Sequence, residues 1–425
     1  MTEIKPTERF SAGDVIRCAE NELTVIEWYR QESLTDDYIV EADGNKMIFR
    51  WYRTDVTGRQ EREERYKELR HFSKQFSAMN QECISFLTPE NITEWFRDSF
   101  GYTLPYRHEG YFELYEYLHG NVTFPSLRTA LTAAINVILA FRIIHNDGFV
   151  FAEMNDSVFL FNKENGKVAI RSEYITCSGV PTFVPLSKEF TDPTQCDKQG
   201  NSMMRNPDLY SDRYIMAVLI FMLLFMKAPM DTGTHRHFIM EEADQNLQDD
   251  AYIIWEHLPA HMKEIFLNCF GSASSYEVRK QLTGIVWLRH LFRFKNEITR
   301  CQCGTEVFID QEDTVVCPAC GRQINIPYRL MVKEQSYSIP CLHRNTIYGI
   351  HIGDKNNPLE LVGTIVARKS EPDVLGIRNE TDYFWVAITR GSIMKKLSSG
   401  SAVPLKSIRA LMIRHEYIMV RNTGK

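Results

Sequence analysis

Two cysteine pairs carry the clearest chemistry in this chain of 425 residues: Cys301-Gln302-Cys303-Gly304 and Cys317-Pro318-Ala319-Cys320-Gly321, separated by residues 304–316. Thiolates in two such knuckles match the tetrahedral demand of Zn²⁺, and a segment too small for its own core folds only around the metal. Four protein ligands leave no open coordination position, so the role of Cys301, Cys303, Cys317 and Cys320 is structural. The first pair is Cys-x-Cys where Cys-x-x-Cys is usual, a departure that fits a distorted zinc site or a vestigial one with unmetallated thiols. Cys341 and His343 are spare ligands whose plainer reading is structural. Six of the ten cysteines are scattered, which suits a reducing compartment and one metal site better than a disulfide framework.

The elements around these knuckles follow from periodicity. Phe10–Val15, Glu22–Trp28, Tyr38–Glu41 and Lys46–Tyr52 read as strands, the last two joined by Ala42-Asp43-Gly44-Asn45. Residues 58–79 form a charged helix with Tyr66, Leu69, Phe72 and Phe76 on one face. Strands near Ile84–Leu87 and Phe100–Pro105 follow. From about residue 109 the chain turns helical: Tyr111–Leu118, the apolar Ser126–His145, a hairpin-like stretch over Phe149–Ile170 turning at Asn165-Gly166, then a buried helix at 212–227 and more helices to about 294. Residues 331–420 are strand-like, at Tyr337–Ile339, Thr346–Ile352, Leu361–Val366, Tyr383–Ile388 and Leu411–Arg414. The class is α+β.

Composition sets the outer bounds. Hydrophobic residues at 44% and charged residues at 24% are those of a globular chain, long enough for two to four domains. A net charge of −6, from 49 Lys+Arg against 55 Asp+Glu, argues against nucleic-acid binding by bulk charge. MTEIKPTERF has no apolar core of a secretory signal, and the run Tyr214–Met226 is too short to span a bilayer, so a soluble, cytoplasmic protein without a membrane partner is expected.

Residues Phe141–Thr176, FRIIHNDGFVFAEMNDSVFLFNKENGKVAIRSEYIT, resemble the catalytic segment of protein kinases. The branch they are similar to is bacterial: kinases that accompany a PP2C-type phosphatase and a von Willebrand A protein in tellurite-resistance-type gene clusters. Ile48–Tyr52 sits where that branch has its lysine strand, and Ser211-Asp212-Arg213-Tyr214 opens the helix that carries an Asp in kinases. The resemblance implies a bilobal kinase-like fold, with an N-lobe over 10–108 and a C-lobe over 109–295. A zinc ribbon over 296–330 and a small forkhead-associated-like β-sandwich over 331–425 follow.

Phosphoryl transfer needs a phosphate cradle, a cation, Mg²⁺ ligands and a carboxylate that orients the hydroxyl. Carried over residue by residue, the resemblance puts Arg50 at the lysine position, with Glu64 or Glu68 as its helix partner. It puts Glu153 at the catalytic Asp, Val158 at the metal-binding Asn and Ser172 at the metal-binding Asp; a one-residue slip puts Glu173 there instead. No glycine lies between Asp14 and Asp43, so Tyr29–Thr35 cannot act as a glycine cradle. Val and Ser offer no oxygen cage for a hard cation, and Val184-Pro185-Leu186-Ser187 replaces the branch's Met-Ala-Pro-Glu. ATP and Mg²⁺ are therefore doubtful cofactors, with nucleotide binding without turnover left open. Asp212 is expected to accept from the backbone around Phe151–Glu153, or to serve as a plain N-cap.

The expected function is that of a pseudokinase that scaffolds or regulates partners, the phosphatase and the von Willebrand A protein foremost. The alternatives are a divergent active Ser/Thr kinase using Glu153 as base with Glu173 or Asp156 as metal ligands, and a nucleic-acid-binding zinc ribbon. In the terminal domain, Gly376–Trp385 with Val403-Pro404-Leu405 resembles the second half of a forkhead-associated-like sandwich, which implies a phosphothreonine reader; the first half lacks the Arg-Ser pattern for phosphate, so a packing or docking module is expected before that.

Overall fold

The computed structural model describes residues 9–18, 21–32, 34–106, 110–179, 187–192, 206–231, 237–241, 250–333 and 335–424. The chain divides into two compact units, Met1–Pro125 with Thr132–Arg236, and Ser126–Leu131 with His237–Lys425. The division falls inside the stretch expected as one C-lobe, so the later helices group with the cysteine cluster and the terminal β domain.

The first unit begins with strands β1 (Val15–Arg17), β2 (Glu22–Gln31), β3 (Thr35–Ala42) and β4 (Asn45–Tyr52). Together with β6 (Gly101–Pro105) they form a sheet of order β1-β2-β3-β4-β6. Helix α1 (Arg59–Ala78) and strand β5 (Ile84–Leu87) lie between β4 and β6 in sequence. Phe10 does not start a strand, because Gly13 turns the chain at φ 90°. It drops instead into the core edge-on to Tyr38, Phe49 and Trp51. The spacing read from α1 is the spacing it uses: Phe72 and Phe76 pack on Phe149 with centroids 5.2 and 5.1 Å away.

Tyr111–Leu118 is not one helix but strand β7 (Tyr111–Glu113) followed by helix α2 (Leu114–Leu118). The Glu113 N–H donates to the Glu116 carboxylate and starts the helix there. Helix α3 (Leu127–Asn146) follows, then strands β8 (Phe149–Phe151), β9 (Phe159–Asn162), β10 (Val168–Arg171) and β11 (Ile175–Cys177). The hairpin turning at Asn165-Gly166 is β9 with β10, and it is nested inside a second pairing, in which β8 at the start of the expected stretch pairs with β11 beyond its end. Helix α4 (Leu209–Phe225) is buried along nearly its whole length. Helix α3 is long and apolar enough to cross a membrane, but most of its apolar window is buried inside the protein.

In the second unit, helices α5 (Asp250–His257), α6 (Ala260–Phe270), α7 (Tyr276–Gln281) and α8 (Gly284–Asn296) precede two short hairpins. These are β12 (Ile298–Arg300) with β13 (Glu306–Phe308), and β14 (Thr314–Val316) with β15 (Gln323–Asn325). The remainder runs β16 (Tyr328–Val332), β17 (Ser338–Pro340), β18 (Thr346–Tyr348), α9 (Gly349–Ile352), β19 (Leu361–Arg368), β20 (Glu371–Asn379), β21 (Trp385–Thr389), β22 (Met394–Leu397), β23 (Ala402–Pro404), β24 (Ile408–Ile413) and β25 (Glu416–Asn422). A sheet of order β17-β16-β25-β24-β21-β22 and one of order β18-β19-β20-β23 enclose a core around Trp385, Ile365, Leu411 and Leu330.

The strand expected over Thr346–Ile352 stops at Tyr348. Gly349 admits the backbone of Asn357 so closely that a Cβ would lie 2.0 Å from its carbonyl oxygen, and the chain coils at that point. Asn379, in the stretch read as forkhead-associated-like, is fully buried; its amide donates to the carbonyls of Tyr383 and Leu397. It fastens a turn and is not presented to a ligand.

Candidate functional site

Strand alternation sends Arg50 of β4 inward, where it is buried at 2% exposure, so it is no surface arginine. Its guanidinium makes a fork with Asp37 on the neighbouring strand: Nε to Oδ1 at 2.8 Å and Nη2 to Oδ2 at 2.9 Å. Nη1 donates to the Tyr174 hydroxyl at 2.7 Å and to Glu173 Oε1 at 3.2 Å. The helix acids proposed as its partners are engaged elsewhere. Glu68 takes Arg65 at 2.9 Å, and Glu64 accepts from Gln60. Helix α1 sends a cation towards the site instead, since Arg65 also donates to the Tyr52 hydroxyl at 3.4 Å.

The cluster extends outward from Arg50. Arg30 of β2 meets Glu32 at 2.9 Å, Asp37 at 3.3 Å and Glu113 at 3.2 Å, and Glu113 also takes Arg171 of β10 at 2.6 Å. Tyr29–Gln31, expected in a loop, belong to β2. Cross-strand pairing of Arg30 with Asp37 and Gln31 with Asp36 leaves a short turn, of which Ser33 lies outside the described residues. The acid of that turn, Glu32, comes within 3.8 Å of Arg50 Nη2. Three carboxylates, Asp37, Glu173 and Glu32, thus surround the Arg50 guanidinium.

Of the two alternatives after β10, the structure brings Glu173 and not Ser172 to Arg50. The Ser172 hydroxyl turns away and donates to the Leu87 carbonyl at 3.2 Å. Val158 is fully buried and supplies no oxygen. Asp212 lies in the first turn of α4 and is not its N-cap; Asp208 holds that position, accepting from the N–H groups of Tyr210 and Ser211. Asp212 accepts from the Phe151 N–H at 3.3 Å and pairs with His145 Nε2 at 2.7 Å, which fixes the strand that leads into Glu153. Residues 184–186 of the replaced Met-Ala-Pro-Glu segment lie outside the described residues.

Electrostatics separates these carboxyls. Burial alone would raise Asp37, but Arg50 in contact holds it below the usual carboxylate range. Burial pushes Glu173 upward against the pull of Arg50. Glu153, half-buried between β8 and β9, is raised by desolvation from 4.5 to about 7, with Arg50 and Arg65 pulling the other way. Because the native state keeps a proton that the unfolded chain releases, stability falls as pH rises from about 4.5 through about 7 and is level above. Glu153→Gln should therefore melt like the parent at pH 4 and higher than it at pH 8. The ceiling is about 3 kcal/mol; equal melts at both pH values would contradict the buried carboxyl.

The missed members, Asp37, Glu113, Arg171 and Tyr174, had one signal in the sequence: Asp36-Asp37 directly before the strand pattern that starts at Tyr38, where charge is disfavoured unless paired.

In the second unit the two hairpins bring four thiols together. Sγ of Cys301 lies 3.6 Å from that of Cys320, Sγ of Cys303 lies 3.6 Å from that of Cys317, and all four fall within 4.8 Å of one another. For a Zn–S bond of about 2.3 Å a tetrahedral edge is ~3.8 Å, so this set could hold a metal ion such as zinc. The short Cys-x-Cys does not spoil the geometry, because Gly304 at φ 97° tightens the knuckle and its N–H donates to the Cys301 carbonyl. Cys341 is fully buried in the sandwich core, away from the cluster.

No family model matches the chain. No curated protein matches it either. Among solved structures it is similar to the Mycobacterium tuberculosis PknI kinase domain, at 12% identity and a TM-score of 0.41, over 67% of this chain and 100% of that one. It is also similar to vaccinia related kinase 3, at 13% identity and a TM-score of 0.37, over 71% of this chain and 81% of that one.

Proposed function

We propose that the first unit is a protein-kinase-like body in which phosphoryl transfer has been lost, and that the protein holds or regulates partners in a bacterial phospho-signalling system. The element order supports this reading: a sheet with α1 inserted after the Arg50 strand, then α3, then paired strands around Glu153 and Glu173, then α4 with Asp212 on the Phe151 N–H. The observation that carries the loss of activity is the saturation of Arg50 by Asp37, Glu173 and Tyr174 in the space where it would meet phosphate. Val158 and Ser172 add no metal oxygen. A PP2C-type phosphatase and a von Willebrand A protein are the partners proposed. The four thiols form a structural zinc ribbon, and the terminal sandwich is a forkhead-associated-like docking module.

One observation favours a second reading, a divergent active kinase: a carboxyl at Glu153 near neutral pKa suits a general base. A melt with ATP and Mg²⁺ separates the two. A ligand at a hundred times its Kd adds about 2.7 kcal/mol to the native state, so no rise in Tm at millimolar ATP is the expected result. A clear rise, with phosphate incorporation that Glu153→Ala abolishes, would establish the active kinase instead.

A further inference from the structure

The outer face of the larger sheet in the terminal domain is apolar where solvent would call for polar side chains. Register places Met331, Met419, Ala410, Ile388 and Met394 in one line across β16, β25, β24, β21 and β22. Beside it run Tyr417, Met412 and Val386, ending at Lys396. The opposite face of these strands builds the sandwich core through Leu330, Ile418, Leu411 and Ala387, so this line is no part of that core. Met394 is 69% exposed, Met419 45% and Met412 39%, while Ala410 and Ile388 lie buried beneath them.

The strands of this face contribute three cations, Lys396, Arg421 and the buried Arg329, and no carboxylate. The acid that does reach it, Asp313 from the preceding hairpins, stands on Arg329 and Arg421. Lys396 lies over the Phe384 ring at 4.2 Å. We infer that this face docks an acidic amphipathic helix of a partner protein. A helix is the element that covers an open sheet face. Five strands at ~4.8 Å spacing offer ~19 Å, about thirteen helical residues. Methionine side chains adapt to a foreign surface without a preformed pocket. A second copy would set Lys396 and Arg421 against like charges, and a lipid surface calls for a cluster of about four to eight basic residues.

The inference is independent of whether the kinase-like cleft binds nucleotide. It is tested on the full chain with ¹³C-methyl methionine, observed by NMR. The probe is a synthetic helix of about sixteen residues with Leu on one face and Glu on the other. Its Lys-for-Glu twin, phosphatidylserine vesicles and a protein dilution series are the other arms. The expected result is that the Glu helix shifts the methyls of Met394, Met412 and Met419. Met412→Glu with Met419→Glu, and separately Lys396→Glu, should each weaken binding about tenfold or more, with melting curves unchanged because all three side chains are solvent-exposed. The inference fails if the Glu helix moves none of these methyls. It fails equally if the Lys twin, the vesicles or self-association moves them as strongly.

Discussion

Asp37→Ala should destabilise the first unit by about 3–5 kcal/mol, roughly 10 °C in Tm for a body of this size. The carboxylate it removes takes both fork nitrogens that Arg50 presents to it, and also takes Arg30 at 3.3 Å. Arg50 is buried, so water cannot replace the lost partner, and Glu173 with Tyr174 satisfies only Nη1. The cost is that of an orphaned charge, not the worth of the pair. Asp37→Leu combined with Arg50→Met should therefore recover most of the loss, and the cycle should show strong coupling. Additive single and double variants would mean that Arg50 reaches solvent. Because Asp37 is depressed in the folded state, its contribution is present above its unfolded pKa and is lost as pH falls below the ordinary carboxylate range. The destabilisation should be full at pH 7 and fade only in acid.

The same residues show where sequence reasoning reaches and where it stops. Helix α1 and strand β5 were legible because their apolar spacing is local: Phe72, Phe76 and Ile84 repeat at the period of their element. The knuckles were legible because four ligands for one ion must lie close in the chain. The charge cluster was not, because its members come from β2, β3, β4, β7 and β10, and no local pattern says which acid will meet Arg50. The helix acids were the natural choice by analogy. The strand acid wins because cross-strand register sets Asp37 directly opposite Arg50. A register pairing likewise exposed the methionine face, whose residues are scattered in sequence from 331 to 419 and align only once five strands are laid side by side.

Metal removal should have the largest effect on the second unit. The core of the two hairpins is Val307, Ile309, Val315 and Ile326 with the thiols of Cys301 and Cys317, too little to hold a segment of this size without a cross-link. Arg329 of β16, fully buried, depends on that segment: Nε meets Asp313 at 3.1 Å and Nη2 donates to the carbonyls of Asp310 and Glu312. If the hairpins open, a buried guanidinium in the larger sheet keeps only the Ser338 hydroxyl on Nη1 and loses the acceptors of Nε and Nη2, which costs up to about 3–5 kcal/mol beyond the hairpins themselves. The chain should therefore carry one equivalent of zinc by elemental measurement. Cys317→Ser, or a strong chelator, should abolish amide protection over residues 298–326 and lower the melt of the sandwich. Arg329→Met in the Cys317→Ser background should restore part of that second loss, because the group left unpaired is gone. Full protection after the metal is stripped would mean that the four thiols are packed for another reason.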